Sequence, residues 1–254
     1  MSVPSQPIGT LLDRAAGYAP CSVGELLASS GGVLVIAPHP DDETLGCGLA
    51  IRAALSAGRD VGVLLLTGGG ASHPGSQTYP TDRLKALRRD EFIAALDALS
   101  NDLPAGAGRL DYRLLDLPDG AVNATGNAAR EAIRRAEDFA DELNARTLWV
   151  TWAGDPHVDH QAASSLADQL VSNRKALRCD YAVWGRFGAA GARLGDERIV
   201  RFDAPAHRTA KRAAMIAYRS QLTPMIVDDP EGFVMPPALV EHFAATPEIF
   251  VIAA

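Results

Sequence analysis

The stretch PHPDDETLG at 38–46 places His39, Asp41, Asp42 and Glu43 within five positions, directly after the apolar run VLVIA. Ionisable groups against a buried strand are costly unless a cation or a reaction uses them. A second cluster, GDPHVDH at 154–160, supplies Asp155, His157, Asp159 and His160 and closely follows another apolar run, TLWVTW. Imidazole nitrogen and carboxylate oxygen suit a zinc-like ion, and three protein ligands leave one position open for water. His39, Asp42 and His160 form such a two-histidine, one-carboxylate set. Zinc lowers the pKa of its water to about 7, which makes hydroxide available at neutral pH. Asp41 then serves as the base that takes the water's proton. His157 stabilises the tetrahedral oxyanion or protonates the leaving group, and Asp159 orients either histidine. Spacing alone does not separate Asp41 from Asp42 in these jobs. Glu43 is expected to cap or support the helix that follows.

These clusters need elements that bring them together. GVLVIA (32–37), DVGVLLL (60–66), LDYRLLDL (110–117), TLWVTW (147–152) and YAVWGRF (181–187) read as five strands, the first two as continuously apolar as strands buried on both faces. Helices are expected between them at 43–57, 82–100, 127–144 and 158–173, with a short one opened by the Ser22–Glu25 capping-box spacing and ending near Gly31. This alternation predicts an α/β fold, a Rossmann-like, mostly parallel sheet with helices on both faces. In the strand order 3-2-1-4-5 the first and fourth strands are neighbours at the switch point where ligands bind. Either cluster alone is explained by helix capping; two at the same topological position are not. A single domain over 1–254 is expected, with a core at about 31–190 and a C-terminal extension at about 191–254. That extension reads as a short strand RIVRF, a helix HRTAKRAAMIAYRSQL and a proline-rich stretch at 223–237.

Composition narrows the function further. The 254 residues carry a net charge of −7, which argues against a broad nucleic-acid surface. Three cysteines far apart make no disulfide framework and fit a reducing compartment. The N-terminal stretch lacks the basic start and apolar core of a signal peptide, and no apolar run approaches the ~18 residues of a membrane span. A cytoplasmic protein with a small-molecule partner and no membrane insertion is expected; its apolar helix faces are compatible with a homo-oligomer. GCG at 46–48 is too short for a dinucleotide fingerprint, and TGGGASHPGS lacks the ending of a P-loop. His73 in that loop is expected to be solvated, Cys47 to pack, and His207 and His242 to lie at the surface or cap. Trp152 is assigned to a pocket wall or to the core. Substrate choice falls to the loops near 68–82, 101–109, 119–126 and 188–196.

PHPDDETLG together with TWAGDPHVDH at 151–160 resembles the PIG-L/LmbE-type de-N-acetylases, and the likeness spans about residues 31 to 190. The resemblance implies hydrolysis of the acetamide of an N-acetylglucosamine-type glycoside, with zinc, or ferrous iron, as cofactor. It implies His39, Asp42 and His160 as metal ligands, Asp41 as general base and His157 as electrostatic or acid partner. RRDE at 88–91 is a softer match: Arg88 is expected either to reach a sugar hydroxyl or to pair with Glu91 on its own helix. Pro38 and Val158 depart from residues common among relatives, without removing a ligand or proton carrier. The alternatives are an amidase for another N-acyl substrate, such as a thiol conjugate, and a noncatalytic carbohydrate-binding protein.

Overall fold

The computed structural model of the chain describes residues 10–188 and 197–252, so most of the loop at 188–196 lies outside the described residues. Helix α1 (Leu11–Ala16), strand β1 (Pro20–Cys21) and a 3-10 turn at Val23–Leu26 precede β2 (Gly32–Ala37). Ser22 and Glu25 do form a capping box, but it opens only that four-residue turn instead of a helix reaching Gly31. Then come α2 (Asp42–Ser56), β3 (Val61–Thr67), α3 (Thr81–Ser100), β4 (Leu110–Leu117) and α4 (Gly126–Glu142). β5 (Ala145–Thr151), α5 (Val158–Arg174) and β6 (Leu177–Tyr181) complete the alternation. β7 (Arg198–Phe202), α6 (Arg208–Ala217), α7 (Arg219–Leu222), α8 (Pro237–Ala245) and β8 (Glu248–Ile252) follow.

The eight strands among the described residues form one sheet in the order β1-β7-β8-β6-β5-β2-β3-β4. β4, β3, β2, β5 and β6 run parallel, which is the 3-2-1-4-5 order expected from the sequence. β8 enters antiparallel between β6 and β7. Successive residues of β2 face opposite layers, as strand geometry requires. Val33, Val35 and Ala37 meet α2, α3 and α6, whereas Leu34 and Ile36 meet α4 and α5. Helices therefore cover both faces, and each fully buried aliphatic or aromatic side chain contributes about 1.5–3 kcal/mol. Among the described residues no helix is long and apolar enough to cross a membrane.

Three expectations are corrected. The strand placed at 181–187 is β6 at Leu177–Tyr181, and residues 184–186 form a 3-10 turn. Arg178 and Asp180 mask that strand, because period two puts them on one face, where they pair at 2.6 Å. The helix HRTAKRAAMIAYRSQL is broken at Tyr218 (φ −80°, ψ 55°), where the Ser220 N–H donates to Glu91 Oε1 at 2.8 Å instead of continuing the helix. The proline-rich stretch is followed by α8 and β8, which the periodicity did not reveal.

That proline-rich stretch clasps the loop after β3. Asp228 accepts hydrogen bonds from Ser76 Oγ, Gln77 N and Thr78 N at 2.8–2.9 Å, and Asp229 accepts from Gly75 N at 2.8 Å. The Thr78 and Ser76 donors hold the Asp228 carboxyl well below the ordinary carboxylate range. A depressed carboxyl contributes its full stabilisation above the ordinary value and loses it as pH falls through the lowered one. Amide exchange at Gln77 and Thr78 is therefore expected to stay slow through about pH 4, and Asp228→Asn to accelerate it at neutral pH. Unchanged protection of both amides in the variant would remove the clasp.

Candidate metal centre

β2 delivers the first motif at its carboxyl end, where Thr67 anchors Pro38 O through both its N–H and its hydroxyl at 3.0 Å. The chain then turns sharply, and Asp41 takes φ 121°, a conformation costly for a side-chain-bearing residue and concentrated at functional sites. Two buried side chains hold that turn. Glu43 Oε2 accepts the Asp41 N–H at 3.2 Å, and Arg88 donates to Pro40 O at 2.7 Å and Asp41 Oδ2 at 3.3 Å. Arg88 also reaches Gly69 O at 3.0 Å; Gly69 has φ +66°, and a Cβ there would fall 2.2 Å from the guanidinium. Arg88 thus pairs with Asp41, whereas Glu91 binds Ser220. Glu43 is wholly buried and also accepts from Thr44 and Tyr218, which supports the helix start as expected.

β5 delivers the second motif beside the first. Asp42 Oδ2 lies 3.1 Å from both His39 Nδ1 and His160 Nε2, so the three expected ligands converge. The opposite ring nitrogens face other carboxylates. His39 Nε2 is 3.0 Å from Asp159 Oδ2 and 3.2 Å from Asp119 Oδ1, and His160 Nδ1 is 3.3 Å from Asp155 Oδ1. Carboxylates behind ligating histidines are the usual device for fixing ring orientation. His157 stands close by, its ring 4.6 Å from His39 and 5.0 Å from His160, so the three histidines also make a cluster able to hold an ion. His39, Asp119 and Asp159 make a second. As N-cap of α5, His157 accepts the Asp159 N–H at Nδ1 (3.2 Å), so its neutral ring carries the proton on Nε2.

The electrostatics favour a cation. Burial opposes charge on the imidazoles, yet Asp119, Asp159 and Asp42 raise His39 well above the usual histidine range, and Asp42 and Asp155 bring His160 up to about 9. Asp42 is held far below the carboxylate range despite its burial, chiefly by His160 and His39. Neither ring nitrogen of buried His160 makes a well-formed hydrogen bond within the protein. Nitrogens turned on a carboxylate without hydrogen-bond geometry, in a field that attracts positive charge, fit a divalent ion. Asp41 differs: burial, reinforced by Asp42 and Glu43 and opposed by Arg88, pushes it up to about 8. Burial and the two neighbouring histidines lower His157.

A crevice of about 870 Å³ opens on His39, Asp41, Asp42, Arg88 and His157. Ala71, Ser72, Pro74, Asp119 and Gly120 line it, as expected of the loops after β3 and β4, while loop 101–109 contributes no lining residue among those described. Sequence reasoning missed Asp119, whose carboxyl is brought down to about 2 by His39 against its burial. Its signal was a carboxylate in LPDG, placed after a strand at the same sheet end. Trp152 joins a core cluster with Leu11 and Ala182, and Trp184 lines the crevice in its stead. His73 is buried, not solvated: its ring packs against Gly232, and Nδ1 lies 3.1 Å from Ser72 Oγ. Cys47 packs in the core, and His242 lies among Phe187 and Phe243.

Comparison with known proteins agrees with this geometry. The chain is 36% identical over 161 residues to the 1D-myo-inositol 2-acetamido-2-deoxy-alpha-D-glucopyranoside deacetylase of Rhodococcus erythropolis (strain PR4 / NBRC 100887), covering 58% of this chain and 54% of that protein. It thus spans about half the length of that curated relative. The N,N'-diacetylchitobiose deacetylase of Pyrococcus horikoshii shares the fold at TM-score 0.63 and 19% identity, over 88% of this chain and 84% of its own. So does GalB, the 4-carboxy-2-hydroxymuconate hydratase of Pseudomonas putida KT2440, at TM-score 0.55 and 17% identity, over 84% and 83%. Two chemistries on one fold mean that the reaction has to be argued from the site. The pattern of the PIG-L family, described as GlcNAc-PI de-N-acetylase, matches residues 34–171. That match runs through both motifs and over half of the chain, which therefore belongs to the PIG-L family.

Proposed function

We propose that the protein is a zinc-dependent deacetylase that hydrolyses the acetamide of an N-acetylated amino sugar, releasing acetate and the free amine. The observation that carries this reading is the convergence of His39 Nδ1, His160 Nε2 and Asp42 Oδ2 beside a buried, strained Asp41. These three residues would hold the ion. Zinc, or ferrous iron in its place, supplies Lewis acidity that polarises the acetamide carbonyl and lowers the pKa of water. Asp41 takes the proton of the attacking water, and its position near neutrality suits a base that must later give that proton to the departing amine. The Nε2–H of His157 donates to the carbonyl oxygen as negative charge develops there. Asp159 orients His39, fixed in turn by the N–H groups of Gly120 and Val122 at 2.7 and 2.9 Å. Arg88 holds Asp41 in place and lines the crevice, which supports its assignment to the sugar-binding side of the site. The three free cysteines support a reducing, cytoplasmic setting.

Metal analysis joined to an amine-release assay on N-acetylglucosamine glycosides tests the proposal. Chelation is expected to abolish amine release, and added zinc, cobalt or ferrous iron to restore it. His39→Ala should lose both bound metal and activity. A metal-free protein with full deacetylase activity would sink the reading.

A further inference from the structure

The crevice is larger than the reaction centre needs, and its outer wall has its own chemistry. About 870 Å³ lies near the upper end for small-molecule sites and exceeds what one N-acetylhexosamine ring fills. The wall is built by the proline-rich stretch and by the 3-10 turn after β6. Phe233 is 38% exposed there, yet its backbone N–H donates to Ser72 O at 2.8 Å, so its position is fixed. Trp184 meets it edge to face, with centroids 5.8 Å apart and planes at 82°, and is itself backed by buried Phe243 at 6.0 Å. Gly232 leaves no slack behind Phe233, because a Cβ there would lie 2.1 Å from the His73 ring.

Charge narrows what can lie on this wall. Carboxylates of Asp41, Asp42, Asp119 and Glu231 line the crevice, and Glu231 stands two residues from Phe233. Among the described lining residues, Arg88 is the one guanidinium or ammonium group, and its Nη atoms already serve Gly69 O, Pro40 O and Asp41. Among the described lining residues no cation is left at the outer end for a phosphate.

We infer that Phe233 and Trp184 form an aglycone subsite for a neutral substrate that joins a ring with an apolar face to the acetamido sugar. The inference rests on the deacetylase reading for the identity of the sugar. Aromatic faces bind such rings with geometric preference, and a contact of this kind is worth about threefold to tenfold in affinity.

The test uses the methyl, phenyl and glycerophosphoryl glycosides of N-acetylglucosamine, with kcat/KM for amine release and calorimetric binding measured in parallel on the metal-loaded protein. Wild type is expected to favour phenyl over methyl by about fivefold and to bind the phosphodiester more weakly than the phenyl glycoside. Phe233→Ala should bring the phenyl-to-methyl ratio close to one, and Phe233→Tyr should keep it. A ratio unchanged in Phe233→Ala, or phosphodiester binding as tight as phenyl, overturns the subsite. Selective binding of the phenyl glycoside without amine release would sink the deacetylase reading and leave the subsite standing. Equal binding of phenyl and methyl glycosides by wild type overturns the subsite whatever the turnover.

Discussion

Asp41→Asn is expected to lower kcat/KM for amine release by about a hundred- to ten-thousand-fold, while the protein keeps its fold and, by metal analysis, its bound ion. The isostere isolates proton transfer because so little else changes. Asparagine tolerates positive φ better than most residues, and Asp41 sits at φ 121°. Glu43 still accepts the backbone N–H of residue 41, and Arg88 still donates to Pro40 O and Gly69 O. Burial obliges the Asp41 carboxyl to take up a proton on folding at neutral pH, a cost the neutral amide avoids, so the variant should melt at or above the wild-type temperature there. Asp42→Asn is the control with the opposite signature. Asp42 Oδ2 lies between His39 and His160, so that variant should lose metal and turnover together. If Asp41→Asn lost metal while Asp42→Asn kept it, the two aspartates would exchange jobs. Undiminished turnover in Asp41→Asn would remove the base altogether.

The need for that pair of variants marks where the sequence runs out. Spacing places HPDD and HVDH at the ends of neighbouring strands, because parallel strands with helical crossovers leave few topologies. Spacing does not say which of two adjacent aspartates turns inward; that follows from the tight turn at Asp41 and from Arg88, 47 positions away. Asp119 escaped notice because LPDG reads as an ordinary turn, and only the pairing of β4 with β3 brings it to His39. Phe233 and Trp184 were invisible for a related reason. Phe233 reaches Trp184 from a stretch whose Asp228 and Asp229 grip a loop some 150 positions earlier, and no local pattern encodes such a grip. The fifth strand was misplaced because polar Arg178 and Asp180 neutralise each other within the sheet. Local periodicity thus read helices α2 to α5 and strands β2 to β5, whereas contacts made by charged side chains across the chain stayed hidden.

The buried pair Lys211–Glu248 is the strongest case of such a hidden contact, and Lys211→Met is expected to destabilise the protein by about 3–5 kcal/mol. α2 is not continuous: Cys47 leaves helical geometry at φ −143°, ψ 22°. Glu248, at the start of β8, fills the break by accepting the N–H groups of Leu49 and Ala50 at 2.7 and 3.0 Å. Lys211 completes the junction, donating to Leu45 O at 2.9 Å and Glu248 Oε1 at 2.7 Å. Both side chains are almost wholly shielded from water, so methionine fills the space but leaves the buried carboxylate without its hydrogen-bonded cation, with Arg186 acting on it only through space. The double variant Lys211→Met/Glu248→Gln should recover part of the loss, because it removes the carboxylate charge that lost its partner while the glutamine carbonyl still accepts from one of the two helix amides. Urea denaturation of the two single variants and the double gives the coupling energy directly. A cost below about 1 kcal/mol for Lys211→Met, the range of an exposed pair, would show that the junction does not depend on the charge pair. The first half of α2 carries Asp42 and Glu43, so the C-terminal strand holds the site's helix in place without touching the site.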